Sequence, residues 1–403
     1  MGAFGEVYVP LGGYWSTPFA RWQGAFADLH AIEFAAHVAK SELSKRAISP
    51  SEFDFGVLGF TIPQPHCFYG LPWLMGMIGA ESVAGPTLSQ ACATGVRSVA
   101  AAAAEVARGA AATALVVTAD RTSNGPHLYY PRPTGPGGTG EHENWVLDNF
   151  SRDPFARVSM IETAENVARK WQISTEEQNE VVLRRYQQYQ DALADDAAFL
   201  KRFMSLPFAV PDRRFGKTVA TLDGDEGVHP TTASGLAALR PVVDGGTVTP
   251  GGQTHPADGN AAIIVTTRER ARSISRDPNV AIRILAFGQG RAERAFMPVA
   301  TIEAARRALE AAEIRIEDVD AIKSHNPFAV NDIVFARETS VDVETMNNYG
   351  CSLVWGHPQG PTGLRGVIEL IEELVLRGGG VGLFHGCAAG DTAMAIVLKV
   401  GEA

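Results

Sequence analysis

The chain has little cysteine, no long apolar run and no excess of positive charge. Its four cysteines, Cys67, Cys92, Cys351 and Cys387, are scattered over 403 residues. They are too few and too dispersed for a disulfide framework, and no CxxC pair offers a structural zinc site. This usage points to a reducing, cytoplasmic setting. No uninterrupted apolar segment reaches the length that spans a bilayer. The stretch Met1-Gly-Ala-Phe-Gly-Glu6 lacks the basic and apolar regions of a signal peptide, and Glu6 stands where myristoylation takes Ser or Thr. With 35 Lys and Arg against 45 Asp and Glu, the net charge is -10. That argues against a general nucleic-acid binder, and an anionic ligand would need a local basic patch. What the chain does have is apolar bulk: 45% hydrophobic residues suffice for one large core or two.

The stretch Thr87-Leu-Ser-Gln-Ala-Cys92-Ala-Thr-Gly95 organises the rest. An apolar, turn-bounded segment precedes it. An Ala-rich run of good helix propensity, residues 96–108, follows and stops at Gly109. Cys92 therefore sits where a strand gives way to a helix. Backbone N–H groups at a helix start favour negative charge, which tilts a thiol toward the nucleophilic thiolate. Taken alone, Cys92 reads equally well as a buried structural cysteine.

Around it the pattern alternates strand and helix. Strands are expected at residues 6–10, 55–62 and 115–118, with an amphipathic helix at 29–43. Residues 123–140, rich in Pro, Gly, Ser and Thr, read as a loop or insertion. Helices are expected at 160–171 and, from a capping box Thr175-Glu-Glu-Gln178, on to about 193. Arg213-Arg214 with Lys217 forms a small basic cluster, either solvated surface or a phosphate contact. The α/β pattern then returns, with strands at 263–265, 280–287, 319–322, 381–384 and 393–400. A helix capped by Thr301 and a second at 364–376 lie between them. The second half repeats the layout of the first, with His325 in the place of Cys92.

Three further stretches carry reactive side chains. They are Ser324-His325-Asn326-Pro327-Phe328, Gly356-His357-Pro358-Gln-Gly360 with Thr362-Gly363, and His385-Gly386-Cys387-Ala388-Ala389-Gly390. Each has a bland alternative: a loop or cap histidine for His325, a hydrogen-bonded turn for His357, a strand-end core residue for Cys387. Together with Ala91-Cys92-Ala-Thr94-Gly95 they resemble the thiolase family over essentially the whole chain. Smaller matches agree: Thr17-Pro-Phe19, Met160 with Thr163-Ala-Glu165, Glu177-Gln178-Asn179, and Gly246-Thr-Val-Thr249 followed by Asp258-Gly259. There are departures. His325-Asn326 replaces the Asn-Glu of the biosynthetic type, as in the sterol-carrier-protein type. Cys387-Ala-Ala389-Gly replaces a Cys-x-Gly-Gly-Gly run. Thr254 stands for a pantetheine-loop Ser, and Thr118-Ala-Asp-Arg-Thr-Ser123 replaces a Gly-Gly-x-Glu-x-Met-Ser stretch near the active site.

The resemblance implies the thiolase α/β fold, two similar halves each with a mixed five-stranded sheet, plus an inserted loop domain. On that reading residues 1–121 with 241–271 form the first half, 122–240 the insertion and 272–403 the second half. It implies Cys92 as nucleophile, His357 as its base, Cys387 as acid and base, and His325 as donor to the thioester oxygen. The N–H groups of Cys92 and Ala389 would hold the tetrahedral oxyanion. Coenzyme A would be met by Met160, Arg213, Arg214, Thr254, Pro327 and Phe328. Aromatics in nearby segments, Trp15, Tyr129, Tyr130, Trp145 and Trp355, suggest a bulky or aryl acyl group, such as that of benzoylsuccinyl-CoA, cleaved to benzoyl-CoA and succinyl-CoA. No metal or redox cofactor is implied. The expected partners are acyl-CoA and CoA, a second copy of the chain, and a small zinc-containing OB-fold subunit. A ketoacyl synthase using Cys92, His325 and His357, and a non-catalytic scaffold subunit, are the alternatives. The acid/base thiol Cys387 favours the thiolase.

Overall fold

The computed structural model describes residues 4–403. The amino terminus read above for targeting signals lies, for residues 1–3, outside the described residues.

The core is a mixed sheet built from two similar sets of strands. In the first, Phe55–Gly59 runs parallel to Thr113–Arg121, which is antiparallel to Ala257–Thr266, which is antiparallel to Tyr8–Val9. In the second, Ala321–His325 runs parallel to Gly380–Ala388, then antiparallel to Thr392–Glu402 and Val280–Arg291. The order of parallel and antiparallel pairs is the same on both sides. Tyr8–Val9 pairs with both Ala257–Thr266 and Val280–Arg291, so the ladder continues from one set into the other. Ala257–Thr266 is buried from end to end, and its Ile263, Ile264 and Val265 supply the β-branched bulk that suits a strand covered on both faces.

Two helices, Thr94–Ala107 and Gly360–Leu376, pack on each other and on strands of both sets. Gly360–Leu376 is buried from Gly360 through Leu374. A helix with no wet face must pair any charge it carries. Arg365 meets Asp225 at 2.5 Å and Glu369 at 2.9 Å, and Lys323 meets Glu369 at 3.1 Å. Asp225 belongs to the long segment between the strands of the first set, so this buried network pins that segment to the central helix. The outer faces are covered by Ala31–Lys45 on one side and Ala300–Ala312 on the other.

Several local expectations shift. Helix Met160–Trp171 has the expected bounds, and Ser159 with Glu162 forms its capping box. The next helix, Thr175–Ala197, is capped by Ser174 rather than Thr175, because the Thr175 hydroxyl donates to Thr247 O. Its regular geometry breaks at Ala194, Asp195 and Asp196, so the regular part stops near 193 as expected. Thr301 is inside its helix, not at the cap, and its hydroxyl donates to Pro298 O. Residues 123–140 are not all loop, since His127–Tyr130 pairs with Glu141–Asn144 as a hairpin. The counterpart of Cys92 in the second set is His357, not His325. Cys92 and His357 each precede one of the two central helices, whereas His325 ends a strand.

Candidate active site

The two central helices start side by side, and that juxtaposition makes the site. Gly95 allows it: a Cβ there would meet Leu364 N at 2.6 Å and Gly360 O at 2.7 Å, backbone atoms with nowhere to go. Ala91 turns the chain at φ 45° just before Cys92, and Gln359 turns it at φ 64° just after His357 and Pro358. Such strained turns persist only where packing over-determines them. They bring Cys92 Sγ to 3.1 Å from His357 Nε2 and 3.4 Å from Gln359 Oε1. His357 Nδ1 lies 2.6 Å from Thr362 Oγ1. With Nδ1–H donating to Thr362, Nε2 keeps its lone pair for the thiol proton.

His325 stacks on His357, with ring centroids 4.1 Å apart and an interplanar angle of 26°. Its Nδ1 lies 2.8 Å from Ser352 Oγ, and its Nε2 is buried with no partner in the protein. The Ser352 hydroxyl can donate either to Asn326 Oδ1 at 3.1 Å, which leaves Nε2 an acceptor, or to Nδ1, which puts the ring proton on Nε2 and makes it a free donor. Cys387 is fully buried and accepts from Asn331 Nδ2 at 3.2 Å. The sulfur of Cys92 and ring nitrogens of His325 and His357 lie within 4.8 Å of one another. Within the trio, His357 Nε2 faces the Cys92 sulfur and only His325 Nε2 is left without a partner, open to a substrate atom.

Electrostatically the resting site is neutral. Burial pushes the Cys92 thiol up to about 12, against the pull of the backbone N–H groups of Ala389 and Cys92 that face the sulfur, and the Asp120 carboxylate adds to the rise. The thiolate expected from a helix start is therefore not the resting form, because desolvation outweighs the helix end. Burial first, then the neighbouring His325, holds His357 well below the usual imidazole range. Burial takes His325 down to about 3. Burial, then nearby Cys92, holds the Cys387 thiol far above its ordinary value.

A cavity of about 590 Å³ opens on Cys92, His357, Gln359 and Ala389. Of the expected coenzyme-A residues, Met160, Thr254, Pro327 and Phe328 line it. Arg213 and Arg214 do not: they sit exposed beyond strand Phe208–Pro211, where Arg213 pairs with Asp28. Trp145 lines the cavity, its Nε1–H donating to Thr61 O at 3.0 Å. Tyr129 is 60% exposed on its hairpin, and its hydroxyl accepts from Gly140 N. Tyr130 is likewise exposed and donates to Glu143. Trp355 and Trp15 are core residues. Trp355 packs edge-on against Phe19 at 5.3 Å and under the Arg365 guanidinium, and Trp15 lies under Arg46. The wall is completed by residues that no motif marked: Thr61, Ile62, Leu147, Phe150 and Val242. None of the residues lining the cavity is Lys or Arg, Asp or Glu. His325 and Cys387 are not part of the lining and stand behind its catalytic end.

Residues 13–269 match the family model described as thiolase, N-terminal domain, and residues 279–400 the one described as thiolase, C-terminal domain. An acetyl-CoA acetyltransferase of Paracoccus denitrificans is 30% identical over 394 residues, covering 95% of this chain and 97% of that protein. A 3-ketoacyl-CoA thiolase of Bacillus subtilis is 29% identical over 395 residues, covering 95% and 97%. The crystal structure of human mitochondrial 3-ketoacyl-CoA thiolase superposes with a TM-score of 0.89 at 25% identity, covering 98% of each chain. A complex of that human enzyme with CoA gives 0.87. The chain thus belongs to the thiolase family of acyl-CoA acyltransferases.

Proposed function

We propose that the protein cleaves a β-ketoacyl-CoA with coenzyme A, through an acyl thioester on Cys92. The observation that carries this reading is the neutral Cys92–His357 pair, 3.1 Å apart, at the end of a cavity where the Ala389 N–H also faces the sulfur. In the proposed reaction the thiol attacks the β-keto carbon as His357 takes its proton. The carbonyl oxygen becomes an alkoxide, met by the N–H groups of Cys92 and Ala389. Collapse of this adduct breaks the Cα–Cβ bond. The acyl group stays on sulfur, and the electron pair leaves as the enolate of the shortened acyl-CoA. His325 Nε2–H and the now protonated His357 donate to the enolate oxygen, and Cys387 protonates the enolate carbon. The Cys387 thiolate, supported by Asn331, then takes the proton of the incoming CoA thiol. That sulfur attacks the thioester, and Cys92 leaves with the proton held by His357.

The acyl group we infer is bulky and uncharged at its far end. Trp145, Leu147, Phe150 and Val242 make the wall apolar. Benzoylsuccinyl-CoA satisfies the aryl part, but its free carboxylate meets no cationic side chain among the lining residues. A second copy of the chain is part of this reading. Strand Thr87–Leu88 is one end of the main sheet, and near it Phe68 and Tyr69 are 93% and 66% exposed. A small OB-fold subunit remains a proposal from family resemblance. The test is a panel of β-ketoacyl-CoAs, small, aryl and carboxylated, incubated with CoA and analysed by mass. Thiolysis products with an acyl adduct on Cys92 support the reading. A parallel incubation with an acyl-CoA and malonyl-CoA that gives decarboxylative condensation, while the panel gives no thiolysis, would replace it with the ketoacyl-synthase alternative.

A further inference from the structure

Asp120 is the penultimate residue of strand Thr113–Arg121, in the stretch where this chain departs from the Gly-Gly-containing segment of its family. It is 1% exposed and makes no ion pair among the described residues. Four donors converge on its carboxylate instead. Oδ1 accepts from Thr61 N at 2.8 Å and Ile62 N at 3.0 Å. Oδ2 accepts from Thr61 Oγ1 at 2.9 Å and Gly360 N at 2.9 Å. A buried carboxylate without a cation is costly, so its retention asks for a role.

The donors come from two places that matter separately. Thr61 and Ile62 line the cavity, and Thr61 O anchors the indole of Trp145. Gly360 opens the central helix directly after Gln359, whose backbone sits at φ 64° and ψ -107° and whose Oε1 lies 3.4 Å from Cys92 Sγ. One carboxylate therefore spans the acyl wall and the turn that carries His357 and Gln359. Burial holds it up to about 7 against the pull of those donors.

We propose that Asp120 is a positioning residue that couples the two, so that displacement of the acyl wall is transmitted to the Cys92–His357 pair. This rests on the acyl-transfer reading above. Asp120→Asn probes the coupling directly. An amide has one acceptor oxygen. If that oxygen keeps the Thr61 and Ile62 amides, the NH₂ group faces the Gly360 N–H, and the strut breaks at the catalytic turn. Thr61→Val removes one donor on the wall side and leaves the backbone bonds in place.

The experiment measures single-turnover acylation of Cys92 by acetyl-CoA, read by intact mass. It also measures kcat and KM for acetoacetyl-CoA and for the aryl substrate benzoylacetyl-CoA. Asp120→Asn is expected to slow acylation roughly 10- to 100-fold, the scale of a misplaced reacting pair. It should also raise KM for the aryl substrate more than for acetoacetyl-CoA. Thr61→Val should shift the KM ratio the same way, with a smaller loss in acylation. Acylation by Asp120→Asn within about twofold of wild type overturns the coupling, as does a KM ratio unchanged in both variants. If Asp120→Asn fails to fold, Thr61→Val decides alone: a shifted KM ratio with slowed acylation supports the coupling, and a shifted ratio with wild-type acylation overturns it. A wild-type protein that is never acylated sinks the acyl-transfer reading itself and the strut with it. That outcome is separate from a wild type that acylates and variants that match it.

Discussion

At the scale of single residues the candidate site holds its reactive pair uncharged. Cys92 is half-buried at the cavity and His357 is buried, and desolvation holds both neutral, so no ion pair has to be desolvated in the empty site. Replacing Cys92 with Ser should cost roughly three orders of magnitude or more in turnover, because a hydroxyl is a much poorer nucleophile at a base of this strength. Intact mass would also show no acyl adduct, and an adduct on another cysteine of the wild type would move the nucleophile elsewhere. Cys387→Ala separates the steps. Cleavage of the C–C bond needs a proton for the enolate and should fall about 10²- to 10⁴-fold, while transfer from a simple acyl-CoA onto Cys92 falls less. Thiolysis at near wild-type rate in that variant would take the acid/base role away from Cys387.

At the scale of elements, the two buried helices are the active site's frame. Their amino-terminal turns carry Cys92 and His357, and Gly95 lets the backbones touch. Gly95→Ala would place a methyl against Leu364 N and Gly360 O, so the helix starts must separate. The expected result is a loss of roughly 1–3 kcal/mol in unfolding stability, the usual cost of overpacking. Acylation should fall disproportionately, because a few tenths of an ångström between Sγ and Nε2 matter more to proton transfer than to the core. Denaturant unfolding alongside single-turnover acylation checks this. A variant with lowered stability and undiminished acylation would show that the frame tolerates the shift.

For the whole molecule, buried imidazoles set the response to acid. His325 and His385 are held at about 3 and about 4 by burial, and His357 is lowered as well. Below the unfolded value near 6.5 the unfolded chain binds protons that the native state refuses, so stability falls with pH, on the order of 1 kcal/mol per pH unit and group. Asp120 and Asp258, raised to about 7 and about 6, act with the opposite sign. They stay protonated in the native state where the unfolded chain has released its protons, and so offset part of the loss. With His30, His37 and His255 also lowered and only Asp391 further raised, the lowered histidines outweigh the raised carboxylates. Urea midpoints should therefore drop from pH 7 to pH 5, and a midpoint that rises would reverse that balance.

The sequence alone determined the chemistry-bearing residues and the alternation of elements. Cys92, His325, His357 and Cys387 stand in motifs whose flanking Gly, Ala and Pro dictate turns locally, and the helix at 160–171 follows from its own periodicity and cap. Tertiary structure decided what each side chain faces. Trp355 lies two residues from His357, yet points into the core toward Phe19 and Arg365, since proximity along the chain does not set direction. Tyr129 and Arg213 lie in segments that composition marked as variable or basic, but on their hairpins both are exposed and neither lines the cavity. Asp120, Gln359 and Ser352 gained their roles only from partners 26 to 267 positions away. The protonation of Cys92 was decided the same way. A local rule favoured thiolate at a helix start, and desolvation of the sulfur between the two helix starts outweighed it.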